Sequence, residues 1–261
     1  MGKRLGIAFG GSGAQGIANI AYVKALELME IKPDIVSGAG IGAVVAAMYA
    51  AGMTSQNMMD FLQEVNFPGA KRPINISKIK DAKYGILDGL GLEEYYKMVV
   101  PIKVFDRLYF PLKVVAANYA SGEQIVFGEG DVGPAIRAAV AIPGIFSPHD
   151  VNGVVMMDGS CINPVPFDII REDCDVLACI DPQINESSED LSPFVFPALL
   201  NASNASKKAL VTEKQKSCAV DLFERVIVED INMFDFALFA DIVASAEEAA
   251  GVFCQKLSDL L

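Results

Sequence analysis

The chain has 261 residues, 52% of them hydrophobic and 21% charged, a composition that builds a large buried core and excludes intrinsic disorder. With 21 basic against 33 acidic residues, a formal net charge of −12 and one histidine, neither a nucleic-acid partner nor polybasic attachment to anionic lipid is expected. Five cysteines (Cys161, Cys174, Cys179, Cys218, Cys254) show no CxxC spacing, so the expectation is reduced core thiols and no bound metal.

The chain runs directly into the apolar stretch Leu5–Phe9, read as a strand with no secretory signal ahead of it. Gly10-Gly11-Ser12-Gly13 reads as a loop, and the helix after it carries Ile17, Ile20, Val23 and Leu26 on one face until Pro33 ends it. Asp34–Ser37 reads as a short buried strand, Gly38–Gly42 as a tight turn, and Ala43–Ala51 as an alanine-rich helix stopped by Gly52. The apolar run Gly38–Met53 is shorter than the roughly 20 residues of a membrane span. From Phe67 to Gly91 prolines and glycines loosen the pattern, and residues 67–91 are expected to form a mobile loop or lid.

Strands are then expected at Leu112–Ala117 and Gln124–Phe127, a helix near Pro134–Val140, and a strand from Val154 to Met157 that ends at Asp158-Gly159. His149 reads as a surface-loop residue. A further strand, Asp175–Asp181, precedes helices over much of 193–218 and an amphipathic helix over Phe236–Leu260. Alternating strands and helices predict an α/β fold, one domain over residues 1–261, with a mostly parallel sheet flanked by helices on both faces. A cytoplasmic protein is expected, with membrane contact limited to the periphery, and the oligomeric state is left open.

Gly11-Ser12-Gly13-Ala14-Gln15-Gly16 fits G-x-G-x-x-G between a strand and a helix. One reading is a nucleotide-dependent enzyme, which needs an acidic residue about 20 positions on at the end of the second strand. Asp34 has that spacing but begins its strand. The other reading is an oxyanion hole made from Gly10, Gly11, Ser12 and Gly13, whose backbone N–H groups would stabilise a developing negative oxygen. That reading calls for a nucleophile at a neighbouring strand-to-helix corner. Gly38-Ala39-Gly40-Ile41-Gly42 is such a corner, with the G-x-S-x-G elbow pattern complete except that Gly40 stands at the serine position. Glycine occupies that strained turn more easily than any other residue, so the turn survives without its reactive atom.

These corners, followed by Asp158-Gly159-Ser160, Ala139-Val140-Ala141-Ile142-Pro143-Gly144 and Asn163-Pro164-Val165-Pro166, make the chain resemble the patatin-like phospholipases over nearly its whole length. The resemblance implies a patatin-like fold related to the α/β-hydrolases and a Ser–Asp dyad that hydrolyses lipid acyl esters without histidine, metal or cofactor. By that resemblance Gly40 marks the nucleophile position, Asp158 is the general base, Gly38 and Gly42 shape the elbow, and Gly159 and Ser160 complete the Asp motif. Three positions depart from the family pattern: Gly40 for serine, Gln15 for the loop's basic residue, and Ser160 for glycine or alanine. Ser37, Ser12, Ser160 and Cys161 are weaker substitutes for the missing nucleophile. The expectation is a lipid acyl hydrolase scaffold that is inactive as written, the alternative a pseudoenzyme that binds lipid or fatty acyl ligands.

Overall fold

A computed structural model of the protein describes residues 2–11, 13–64, 85–87, 100–184 and 195–261, with 85–87 and 195–197 described by backbone alone. Ser12 and all of 67–91 except the backbone of 85–87 lie outside the described residues, so the lid expectation falls there too.

The central sheet is built outward from β1 (Leu5–Phe9), whose five residues are all buried, as a strand covered on both faces must be. It pairs in parallel with β2 (Ile35–Ala39) on one side and β9 (Val176–Ile184) on the other. Beyond β9 lies β10 (Leu222–Val228), and beyond β2 lies β4 (Leu112–Asn118), both parallel to their neighbours. The far side is antiparallel: β5 (Gln124–Phe127), β7 (His149–Val151) and β8 (Val154–Asp158), giving the order β10-β9-β1-β2-β4-β8-β7 with β5 also on β4. A separate pair joins β3 (Gly85–Leu87) to β6 (Gly144–Phe146).

The register of β4 sets up the site. Val114 and Val115 face Gly38 and Ala39 of β2 on one edge and Phe127 and Val126 of β5 on the other. Ala116 and Ala117 face β5 as well, and their second partners are Asp158 and Met157 of β8. A strand has two edges, so β8 occupies the edge that β2 has just left. Strand β2 stops at Ala39, and one row further along β4 the carboxyl end of β8 takes its place.

Six helices cover the described sheet: α1 (Asn19–Leu28), α2 (Ile41–Ala50), α3 (Ser55–Glu64), α4 (Val132–Ala139), α5 (Val195–Gln215) and α6 (Phe239–Leu260). A short 3-10 turn, Ala14–Ala18, leads into α1. Alternation along β1 sends Ile7 and Phe9 into the larger core with Ile20, Met48 and Phe253, and Ala8 into the opposite one with Phe167, Leu177 and Val211. Tyr22 of α1 meets Phe253 of α6 edge to face, with ring centroids 5.2 Å apart.

The structure corrects several readings. The turn expected over Gly38–Gly42 shrinks to Gly40, because β2 runs through Ala39 and α2 begins at Ile41. His149 belongs to β7 and is half-buried, not a surface-loop residue. The helical region over 193–218 is one helix, and β10, with Glu224 and Arg225 interrupting its apolar pattern, is a strand the periodicity did not signal.

Candidate active site

The glycine loop is held from beneath. The Gly10 N–H donates to the Ile180 carbonyl at 2.9 Å, extending the β1–β9 ladder, so this amide is committed to the sheet and does not serve the oxyanion hole expected of it. Buried Asn19 donates from Nδ2 to the carbonyls of Gly10 and Gly16, each at 2.8 Å, and so ties the two ends of the loop together. The Ala14 N–H donates to the Met233 carbonyl at 2.9 Å.

The second corner is stitched to the first. The Gly42 N–H donates to the Gly11 carbonyl at 3.2 Å. A Cβ on Gly42 would lie 2.4 Å from the carbonyl oxygens of both Phe9 and Gly10, so only glycine lets the first turn of α2 press against the end of β1. Gly40 itself sits at φ 58° and ψ −137° and caps α2, its carbonyl accepting the Ala43 N–H at 3.1 Å. That backbone is strained for a residue with a side chain, as the nucleophile position of an elbow is.

Asp158 ends β8 fully buried. Its N–H donates to the Ala141 carbonyl at 2.9 Å, and its Oδ1 accepts the Ser160 N–H at 2.8 Å. Because Asp158 lies opposite Ala116 and Ala39 opposite Val115 on the same edge, one rise of about 3.3 Å along β4 separates their rows. Gly159 makes this approach feasible, since a Cβ there would lie 2.1 Å from the Val115 carbonyl oxygen. Gly40 directly follows Ala39, Asp158 ends β8 one row on, and the Gly42–Gly11 hydrogen bond brings the glycine loop to the same corner, at the carboxyl ends of the parallel strands where open α/β sheets place their ligands.

An apolar cavity of about 60 Å³ opens beside this spot. Ile41, Val44, Val45 and Met48, spaced so as to share one face of α2, form one wall, and Ile17 and Phe236 contribute others. The first residue of that wall directly follows Gly40.

Other sequence candidates are occupied elsewhere. Ser37 Oγ donates to the Pro166 carbonyl at 2.8 Å. Burial, reinforced by the nearby Asp158 charge, pushes the Cys161 thiol up to about 12, the opposite of an activated nucleophile. The Asp34 carboxylate accepts the Leu5 N–H at 2.7 Å, at the end of β1 away from the glycine loop, where no ribose held by that loop would reach. Two residues near the site were not singled out from sequence. Asn19 gave no signal beyond being polar in an apolar helix, whereas Asp181, at the carboxyl-end half of buried β9, was legible by position.

A doubly covered, mostly parallel sheet with an elbow corner at the head of its second strand and an aspartate brought to the same edge defines an α/β protein of the patatin type. The chain belongs to the patatin-like phospholipase family, whose model (Patatin-like phospholipase) matches residues 7–171. It is 29% identical over 212 residues to an uncharacterized NTE family protein of Mycobacterium tuberculosis (strain ATCC 25618 / H37Rv), covering 79% of this chain and 57% of that protein. Patatin-like phospholipase domain-containing protein 6 of Mus musculus is 26% identical over 179 residues, covering 65% of this chain and 13% of its own length. The chain thus spans little more than half of the mycobacterial relative and a small part of the mouse one. Among solved structures, VipD from Legionella pneumophila shares the fold, with a TM-score of 0.55 and 15% identity over 98% of this chain and 67% of that one.

Proposed function

We propose that this protein holds the acyl chain of a lipid in a patatin-type site and does not turn the ester over. The observation that carries the reading is Gly40, which keeps the backbone of a nucleophile elbow (φ 58°, ψ −137°) and directly precedes Ile41 in the wall of an apolar cavity, yet bears no hydroxyl. In a Ser–Asp hydrolase the serine oxygen attacks the ester carbonyl carbon, the aspartate takes its proton, and the alcohol leaves with that proton. An acyl-serine forms, and water then releases the acid by the same route. Without an oxygen at residue 40 the first bond cannot form. Loss of the nucleophile lowers turnover by about 10⁶-fold in a measured serine hydrolase. The cavity wall on α2 is unaffected by that loss, so binding survives where catalysis does not.

Titration with a fluorescent decanoyl or dodecanoyl fatty-acid analogue tests the reading. The unaltered chain should bind saturably, and Val45→Phe, which fills the cavity from a buried position on α2, should weaken binding by at least tenfold while the protein remains folded. Absence of saturable binding to the folded, unaltered chain would refute it.

A further inference from the structure

The apolar cavity on α2 has a neighbour. An open cleft of about 340 Å³ lies between the turn after α2, with Gly52 and Met53, and Asn57, Asp60 and Glu64 of α3. Among the described residues, Phe61 of α3 is the one that lines both spaces. A small polar cavity of about 20 Å³ lies elsewhere, among Gln15, Ser160, Asp181 and Lys207, and shares no lining residue with the apolar one. The cleft is therefore the space into which the apolar cavity can extend.

Phe61 owes its place to the two faces of α3. Met58, Phe61 and Leu62 are buried, and Leu62 lines the apolar cavity but not the cleft. Asn57, Phe61 and Glu64, spaced by four and then three residues, share the side that looks into the cleft. Phe61 thus stands where the apolar face meets the polar one, and its side chain, 7% exposed, divides the two spaces. Position along α2 sets how far this partition lies from Gly40. Ile41, next to Gly40, and Met48 bound the α2 wall, and seven residues at about 1.5 Å each put them about 10 Å apart. Gly52 and Met53, just past the end of α2, already belong to the cleft. An extended chain advances about 1.2 Å per bond, so about eight to ten carbons reach from the Gly40 corner to Phe61. The carboxylates of Asp60 and Glu64 beyond it would repel an anionic head, so it is the tail of an acyl chain that points this way.

We propose that Phe61 is the stop that sets chain length, so that the site takes acyl chains of about eight to ten carbons and rejects longer ones. The inference rests on the acyl-binding reading above and adds to it a length preference and the residue that imposes it. Removal of the ring joins the apolar cavity to the cleft and lets a longer tail pass between α2 and α3.

Displacement of the fluorescent decanoyl analogue from the full chain by free fatty acids, hexanoate to hexadecanoate, reads the length directly. Each buried methylene should lower the midpoint about fourfold up to about ten carbons, and each further one by less than about twofold. In Phe61→Ala the steep part should continue, with the tetradecanoate midpoint at least about tenfold lower than in the unaltered chain and the octanoate midpoint within about threefold of it. Phe61→Leu, a smaller change in the core, should move the break in the same direction and serves if the alanine variant fails to fold. A midpoint that keeps falling fourfold per carbon past twelve carbons in the unaltered chain, or a break unmoved in a folded Phe61 variant, would overturn the stop and leave acyl binding standing. Displacement by none of the acids, or no binding of the analogue, would overturn both.

Discussion

Restoring an oxygen at residue 40 is the most direct test of the site. Gly40→Ser places a side chain on backbone at φ 58° and ψ −137°, which costs about 1–3 kcal/mol. Against a total stability of about 5–15 kcal/mol this is tolerable. At about 2–4 °C per kcal/mol for a chain of this size class, the melting temperature should fall by roughly 2–12 °C. The β4 register puts Asp158 one row from Ala39 on a shared edge, so side chains two and three bonds long, at about 1.5 Å per bond, can meet across the gap. The nucleophile is worth about 10⁶-fold, but Gln15 supplies no cation, and one weakened oxyanion contact costs about 10²–10³-fold. The expected gain in p-nitrophenyl butyrate hydrolysis is therefore about 10³–10⁴-fold over the parent chain. It should be accompanied by stoichiometric labelling with a fluorophosphonate, read by mass spectrometry, and both should vanish when Asp158→Asn is added. A folded Gly40→Ser protein that neither hydrolyses the ester nor takes the label would refute the dyad geometry.

The remaining predictions concern the scaffold. Gly42→Ala forces a Cβ to within 2.4 Å of two backbone carbonyl oxygens and should destabilise the protein by at least about 2 kcal/mol, read as a lower urea midpoint; an unchanged midpoint would mean that the two corners are not held together as described. Asp181, nine-tenths and more buried, has its carboxyl raised above the ordinary 3.8 chiefly by burial, with Gln183 and Arg225 opposing. The stability contributed by its protonation is full below that ordinary value and is lost as pH rises through the folded one. Asp181→Asn, which stays neutral, should therefore gain stability relative to the parent between pH 4 and pH 7 in urea titrations, and a difference independent of pH would contradict the assignment.

What could be read from the chain was what short-range chemistry writes into neighbouring residues. Gly38-Ala39-Gly40-Ile41-Gly42 announces a strained corner because its glycines answer to sterics within a few residues, and β1, β2 and α2 were legible as apolar runs bounded by glycine and proline. Asp158 was placed at a strand end for the same reason. What escaped depends on partners far away in sequence. The commitment of the Gly10 amide is decided by Ile180, and the strand character of His149 by its pairing with Met156. Likewise Glu224 and Arg225 interrupt a helix or strand pattern equally well, and only the parallel alignment with Ile180 and Asp181 makes that segment β10. The small polar cavity joins residues from the 3-10 turn, β9, α5 and the Asp motif, so no local pattern could disclose it.

The handover on β4, where β8 continues the edge that β2 abandons, also dictates when the site can come into being. As the chain leaves the ribosome, the glycine loop and the corner at residue 40 can settle against β4 once Asn118 has emerged. The backbone of Ala116 to Asn118 then waits with one side unpaired until residues 156–158 arrive. An open strand edge invites pairing with another chain, so the segment that brings Asp158 up to the corner is also the piece that closes a hazard. Placement of Asp158 beside the corner and protection from aggregation are thus one event in the birth of this protein.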